Sequence, residues 1–205
     1  MKIYKLYTEL LDYKPLIWRR LLAADSMKLP NLAYVLMALY EMEGEHMFNF
    51  YSPERDTYYA LPSKDAADKE INAKKTALRD VIKNEQQNII FNYDFGDNWE
   101  IGIKAEEITD SDLAPQRYPV LLEGDGYGII EDCGGVDALA KMAEAFKKKK
   151  GPEYEEYSDW LGRNNLDLKT FQADKKNLRA EMAFFRSIYE HTEPPAKWEW
   201  VVDDK

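Results

Sequence analysis

The place where the apolar residues change period constrains this chain more than any other feature. Tyr4, Leu6, Thr8 and Leu10 alternate through residues 2–11, which turns one side of an extended segment toward a core. Residues 12–15 punctuate, and residues 16–22 read as a second strand that makes an antiparallel hairpin with the first. The period then changes. Leu32, Val35, Leu36, Leu39 and Met42 share one helical face, with Pro30 suited to a first turn and Gly44 to an end.

Strand character returns at residues 46–51 and 57–61, while residues 63–75, rich in Lys, Asp, Glu and Ala, read as a loop or a solvated helical stretch. Thr76 is expected to cap a short helix through Ile82. Residues 89–93 and 99–105 predict a hairpin whose turn, Asp94-Phe95-Gly96-Asp97-Asn98, has the chemistry for a positive φ at Gly96. Residues 118–122 read as the last strand, and a loop follows to Gly135. Helical spacing dominates after that. One helix spans about 137–147 with Leu139, Met142 and Phe146 inward, and another opens at Pro152 with Tyr154, Tyr157 and Leu161. A third runs from about 173 to 190 with Leu178, Met182, Phe185 and Tyr189 on one stripe. Strands before helices predict an α+β fold, a mainly antiparallel sheet packed against helices with a helical C-terminal half. We read residues 1–192 as one domain and 193–205 as a tail whose Trp198 and Trp200 imply docking.

Composition narrows the classes. With 45% apolar and 13% aromatic residues among 205, the chain has the material for a core. A formal net charge of −10 weighs against duplex nucleic acid and against an anionic membrane surface, because both demand exposed cations. Cys133 is the only cysteine, which excludes an intramolecular disulfide and thiolate-rich zinc sites. The first residues carry Lys2, Lys5 and Glu9 and hold no apolar run of signal-peptide type, and no window approaches a membrane span. The expected location is the cytoplasm.

Four patches taken in order carry a resemblance. They are Lys14-Pro15-Leu16-Ile17-Trp18-Arg19-Arg20, Gly44-Glu45-His46-Met47-Phe48, Tyr93-Asp94-Phe95-Gly96-Asp97-Asn98-Trp99-Glu100, and Glu131-Asp132-Cys133-Gly134-Gly135, with Trp160-Leu161-Gly162 farther on. Together they resemble the plasmid pRiA4b ORF-3-like family, prokaryotic proteins known from an open reading frame on a root-inducing plasmid. The resemblance spans roughly residues 3–180 and implies one compact α+β domain without an established activity. Some members have been labelled resolvases, a label the residues here do not support. Two departures stand out. Gly128 takes the position where many relatives carry a second cysteine, and Gln172 follows Phe171 where relatives tend to place Asp.

The acidic loops hold the main chemical candidates. Asp94, Asp97 and Glu100 sit at one hairpin end, while Glu123, Asp125, Glu131 and Asp132 line a Gly-rich loop. If these loops meet, their carboxylates converge with His46 and offer ligands for a divalent metal. The bland alternative is that they are turn and cap residues. Arg19 and Arg20 point to opposite faces of their strand, and one of them is expected to pair with Asp94 or Asp97. Cys133 beside Glu131 and Asp132 is a poor nucleophile, since neighbouring negative charge disfavours the thiolate. Gly124, Gly126 and Gly128 fail the dinucleotide spacing at Ile129. With no catalytic constellation standing out, we read the chain first as a non-catalytic protein-binding or adaptor module that needs no cofactor. A metal-dependent enzyme using the acidic loops with His46 is the alternative, and a nucleic-acid accessory protein is the third class.

Overall fold

Eight strands form one mixed, mostly antiparallel sheet in a computed structural model that describes residues 1–62, 70–173 and 177–191. The strands are β1 (Lys2–Leu10), β2 (Trp18–Ala24), β3 (Phe48–Ser52), β4 (Thr57–Ala60), β5 (Glu70–Asn72), β6 (Asn88–Tyr93), β7 (Trp99–Asp110) and β8 (Val120–Asp125), in the spatial order β5-β4-β3-β6-β7-β1-β2-β8. Among the described strands only β4 and β5 run parallel. Among the described residues five α-helices accompany it: α1 (Leu29–Leu39), α2 (Leu78–Val81), α3 (Gly135–Lys148), α4 (Pro152–Leu161) and α5 (Leu178–Glu190).

The alternation in β1 works as expected. Tyr4, Leu6, Thr8 and Leu10 are buried, and β1 pairs with β2 in the predicted hairpin. β6 supplies Ile89, Phe91 and Tyr93 to the same side and β7 supplies Trp99, Ile101, Ile103 and Ala105. This face packs on α1, which is buried almost all round, and α5 lies across α1 in turn. An apolar helix sandwiched between a sheet and a second helix needs no polar face.

Several expectations change. The helix predicted to reach Gly44 stops at Leu39, and Thr76 does not cap α2 but donates its hydroxyl to the Asn72 carbonyl. Ala77 precedes α2, and the Asp80 carboxylate accepts its backbone N–H instead. Gly96 is not the left-handed residue of the β6–β7 turn. Asp94 and Asn98 take φ values of 53° and 54° there, a conformation that short Asx side chains tolerate. The C-terminal half is not clearly helical, because β7 extends into it and β8 follows before α3, α4 and α5. The last helix begins at Leu178, and Leu178 and Phe185 of its predicted stripe are buried. The predicted tail lies outside the described residues. No helix among the described residues is long and apolar enough to cross a membrane.

Candidate functional site

Three segments meet at the C-terminal end of β6. The turn after β6 carries Asp94 and Asp97, the segment entering β3 carries His46, and the loop before α3 carries Glu131 and Asp132. Glycine makes the last approach possible. Gly135 has φ +80°, and a Cβ there would lie 2.5 Å from the Asp97 carbonyl oxygen. The Asp97 carboxylate accepts the Gly134 N–H at 3.0 Å, which fastens the loop to the hairpin at the start of α3.

His46 lies among carboxylates. Its Nδ1 is 3.6 Å from Asp94 Oδ1, and its Nε2 is 3.3 Å from Asp132 Oδ1 and 3.6 Å from Glu131 Oε2. A good N–H···O bond spans about 2.7–3.2 Å. Nε2 is sealed from solvent and, despite the nearby oxygens, makes no hydrogen bond of acceptable geometry. His46, Asp94 and Asp132 can each place one ligand atom within 4.8 Å of the others. Tetrahedral ligands about 2.0 Å from an ion stand roughly 3.3 Å apart, a spacing the Nε2–Asp132 pair matches, while Asp94 approaches from the Nδ1 side.

Glu131 is the buried member, with its side chain only 5% exposed. Its Oε1 accepts the Tyr93 hydroxyl at 2.5 Å and the Glu43 N–H at 2.6 Å. Burial raises its pKa, and both donated bonds work against that rise. Tyr93 is raised by burial and then by the hydrogen bond its hydroxyl donates to Glu131. The Gly44 N–H reaches the Tyr93 oxygen at 3.0 Å, and the Tyr189 hydroxyl of α5 donates to the His46 carbonyl at 2.5 Å. Sequence reasoning missed Tyr93, Tyr189 and the Glu43 amide. The inward position of Tyr93 after Ile89 and Phe91 was the one available signal, and it reads as core.

The other candidates sit elsewhere. Glu100 lies on β7 beside Asp12, Asp97 and Asp137 in a neighbouring groove, away from His46. Neither arginine pairs with Asp94 or Asp97. Arg19 is fully buried and donates only to carbonyls, those of Leu39, Trp18, Asp125 and Tyr127, with its guanidinium 3.6 Å over the Phe171 ring. Arg20, on the opposite face, grips Glu106 and Glu123. The strand alternation explains the split, because β2 faces the helices at Arg19 and the open side at Arg20. Cys133 is half-buried, and burial with Asp97 nearby pushes its thiol up to about 11, which suits an inert residue.

The uncharacterised protein y4hQ of Sinorhizobium fredii is 27% identical over 166 residues, covering 80% of this chain and 84% of that one. The crystal structure of a protein of unknown function, MM3350 from Methanosarcina mazei Go1, superposes with a TM-score of 0.71 at 26% identity, covering 84% of this chain and 96% of that one. The sequence pattern of the plasmid pRiA4b ORF-3-like proteins matches residues 2–175, a stretch that includes His46, Asp94, Glu131 and Asp132, and this chain therefore belongs to that family.

Proposed function

We propose that this protein binds a divalent cation through His46, Asp94 and Asp132 and that its activity depends on that ion. One observation carries the reading: the His46 Nε2 is buried without a hydrogen bond while carboxylate oxygens flank both ring nitrogens. One imidazole and two carboxylates suit zinc, manganese or ferrous iron better than calcium, which takes six to eight oxygens. Three protein ligands leave open positions, the pattern of catalytic rather than structural sites, and a cation there would acidify bound water for hydrolysis. Asp132 reaches the site from solvent at 69% exposure, so a substrate has access from its side.

Calorimetric titration of chelator-treated protein with Zn²⁺ and Mn²⁺ tests the proposal. Binding of one ion, lost in His46→Ala and weakened at least tenfold in Asp132→Asn, is expected. Equal binding by wild type and His46→Ala would sink it, and the cluster would then be an ion-pair network around an imidazolium.

The adaptor reading keeps one observation of its own. β8 is a sheet-edge strand with Val120 39% and Leu122 46% exposed, and an exposed apolar edge fits strand addition by a partner. Leu122→Lys should then abolish co-purification of a defined partner without changing cation binding. Retention of that partner would rule β8 out as its docking edge.

A further inference from the structure

We propose that the outer edge of β8 takes up an extended, basic segment of another protein as a further strand. Lysine or arginine of that segment would stand opposite Glu123 and Asp125, and apolar side chains would lie beside Val120 and Leu122. The proposal rests on the adaptor reading, to which it adds the chemistry of the partner, and it makes no use of the cation site.

The two ends of the sheet differ. β5 closes one end with three residues, whereas β8 closes the other with six, and among the described residues no strand pairs with its outer side. An edge strand presents a row of N–H and C=O groups to solvent, and proteins usually blunt such rows with lysine, proline, bulges or very short strands. Residues 120–125 contain neither lysine nor proline. The bulge in the β2–β8 pairing leaves Leu122 without a partner on β2, with 46% of it exposed.

Charge and register decide the occupant. Val120, Glu123 and Asp125 lie opposite Leu22, Arg20 and Trp18, which puts them on the open face of the sheet. Arg20 is held between Glu106 and Glu123, and β8 has two carboxylates and no cation of its own. Directly opposed residues on paired strands stand about 4.5–5.5 Å apart, so opposite charges there stabilise and like charges destabilise. A second copy fits badly. Antiparallel self-pairing over all six residues would set Asp125 against Val120 and Glu123 against Leu122, and pairing centred on Glu123 would oppose two carboxylates. Residues 193–205 of the chain itself hold four carboxylates against two lysines, so they do not complement the edge either. A foreign strand that is apolar at one end and basic at the other satisfies each of these positions.

Fluorescence polarisation with three labelled peptides tests the proposal. One is built on Lys-Thr-Lys-Val-Thr-Val, the second has glutamate in place of both lysines, and the third keeps the lysines but carries N-methyl groups on alternate backbone amides. Only the first should bind wild type. Its affinity should fall about tenfold in the isosteric double variant Glu123→Gln/Asp125→Asn, which removes two cross-strand charge pairs. Circular dichroism checks that this variant is folded. Equal binding of the N-methylated peptide would reduce the effect to plain attraction by an acidic protein and overturn the proposal. Equal binding of the glutamate peptide would overturn the basic partner while leaving strand addition, and with it the adaptor reading, in place. Failure of all three peptides would also overturn the proposal, and the adaptor reading would then stand or fall on partner retention by Leu122→Lys. A wild-type dimer in sedimentation that Leu122→Lys dissociates would seat a second copy on the edge and overturn it as well.

Discussion

Arg19 and Arg20 are adjacent in sequence, and the same substitution should separate them widely. Arg19→Met keeps an apolar stem of similar length and removes four hydrogen bonds, to the carbonyls of Leu39, Trp18, Asp125 and Tyr127. At about 1 kcal/mol for each carbonyl left underbonded in the interior, the loss comes to roughly 4 kcal/mol. The stacking over Phe171 adds to that loss, and release from burying a guanidinium, whose pKa burial lowers to about 10, works against it. A net cost of about 3 kcal/mol is expected. Arg20→Met removes pairs with Glu106 and Glu123 from a side chain 23% exposed, and partly exposed pairs are worth about 1 kcal/mol or less. Urea unfolding at pH 7 would measure both, with the slope checked for constancy. Amide exchange at Tyr127 and Ile129 should also quicken in Arg19→Met alone, because Arg19 holds the loop that enters the site. A loss below about 1 kcal/mol for Arg19→Met, or equal losses for the two, would refute the reasoning.

Other outcomes follow from the same geometry. Gly135→Ala should cost roughly 3 kcal/mol or more in thermal unfolding, since it adds left-handed strain to a 2.5 Å clash with Asp97, whereas Gly96→Ala should cost under about 1 kcal/mol. Cys133, with its thiol near 11, should react with a thiol reagent at pH 8 about 100-fold more slowly than a free cysteine, and a comparable rate would contradict its burial. Glu131 has a folded pKa above its unfolded value, so the native state binds the extra proton in that window. Its contribution to stability is present below the unfolded pKa and lost as pH rises through the folded one. Melting temperatures of wild type should therefore fall relative to Glu131→Gln as pH is raised from about 4.5 toward neutrality. Parallel curves would refute the shift.

Period and turn chemistry made the β1–β2 and β6–β7 hairpins, α1 and α3 readable, because each has one buried side whose spacing shows in the sequence. Gly96 was misread because glycine is the obvious candidate for positive φ, yet Asp94 and Asn98 bound the turn and take it instead. The pairing of Arg19 was misread for a different reason. Sequence shows carboxylates as possible partners, while backbone carbonyls become partners only once a fold aims them inward. His46, Asp94, Glu131 and Asp132 were legible as residue types. Their convergence was not, because it depends on the close approach at Gly135 and on Tyr93, which reads as core.

The four patches that carry the family resemblance now have one physical explanation. Gly44 to Phe48 brings His46, Tyr93 to Glu100 brings the turn, and Glu131 to Gly135 brings the loop that closes on it. The patch ending in Arg19-Arg20 is remote from them in sequence, but Arg19 binds the carbonyls of Asp125 and Tyr127, where that loop begins. Ile129 then gives its N–H to the Tyr40 carbonyl, just beyond α1, and Glu131 takes the Glu43 N–H. A buried arginine without a carboxylate partner is costly, and a core would be easier to stabilise with an apolar residue. What it adds here is direction. It holds the loop from one end while Gly135 and Asp97 hold the other, so Glu131 and Asp132 are presented to His46 by a segment fixed at both sides. In this chain the four patches thus lie in the residues that build one cluster and in the supports that aim it.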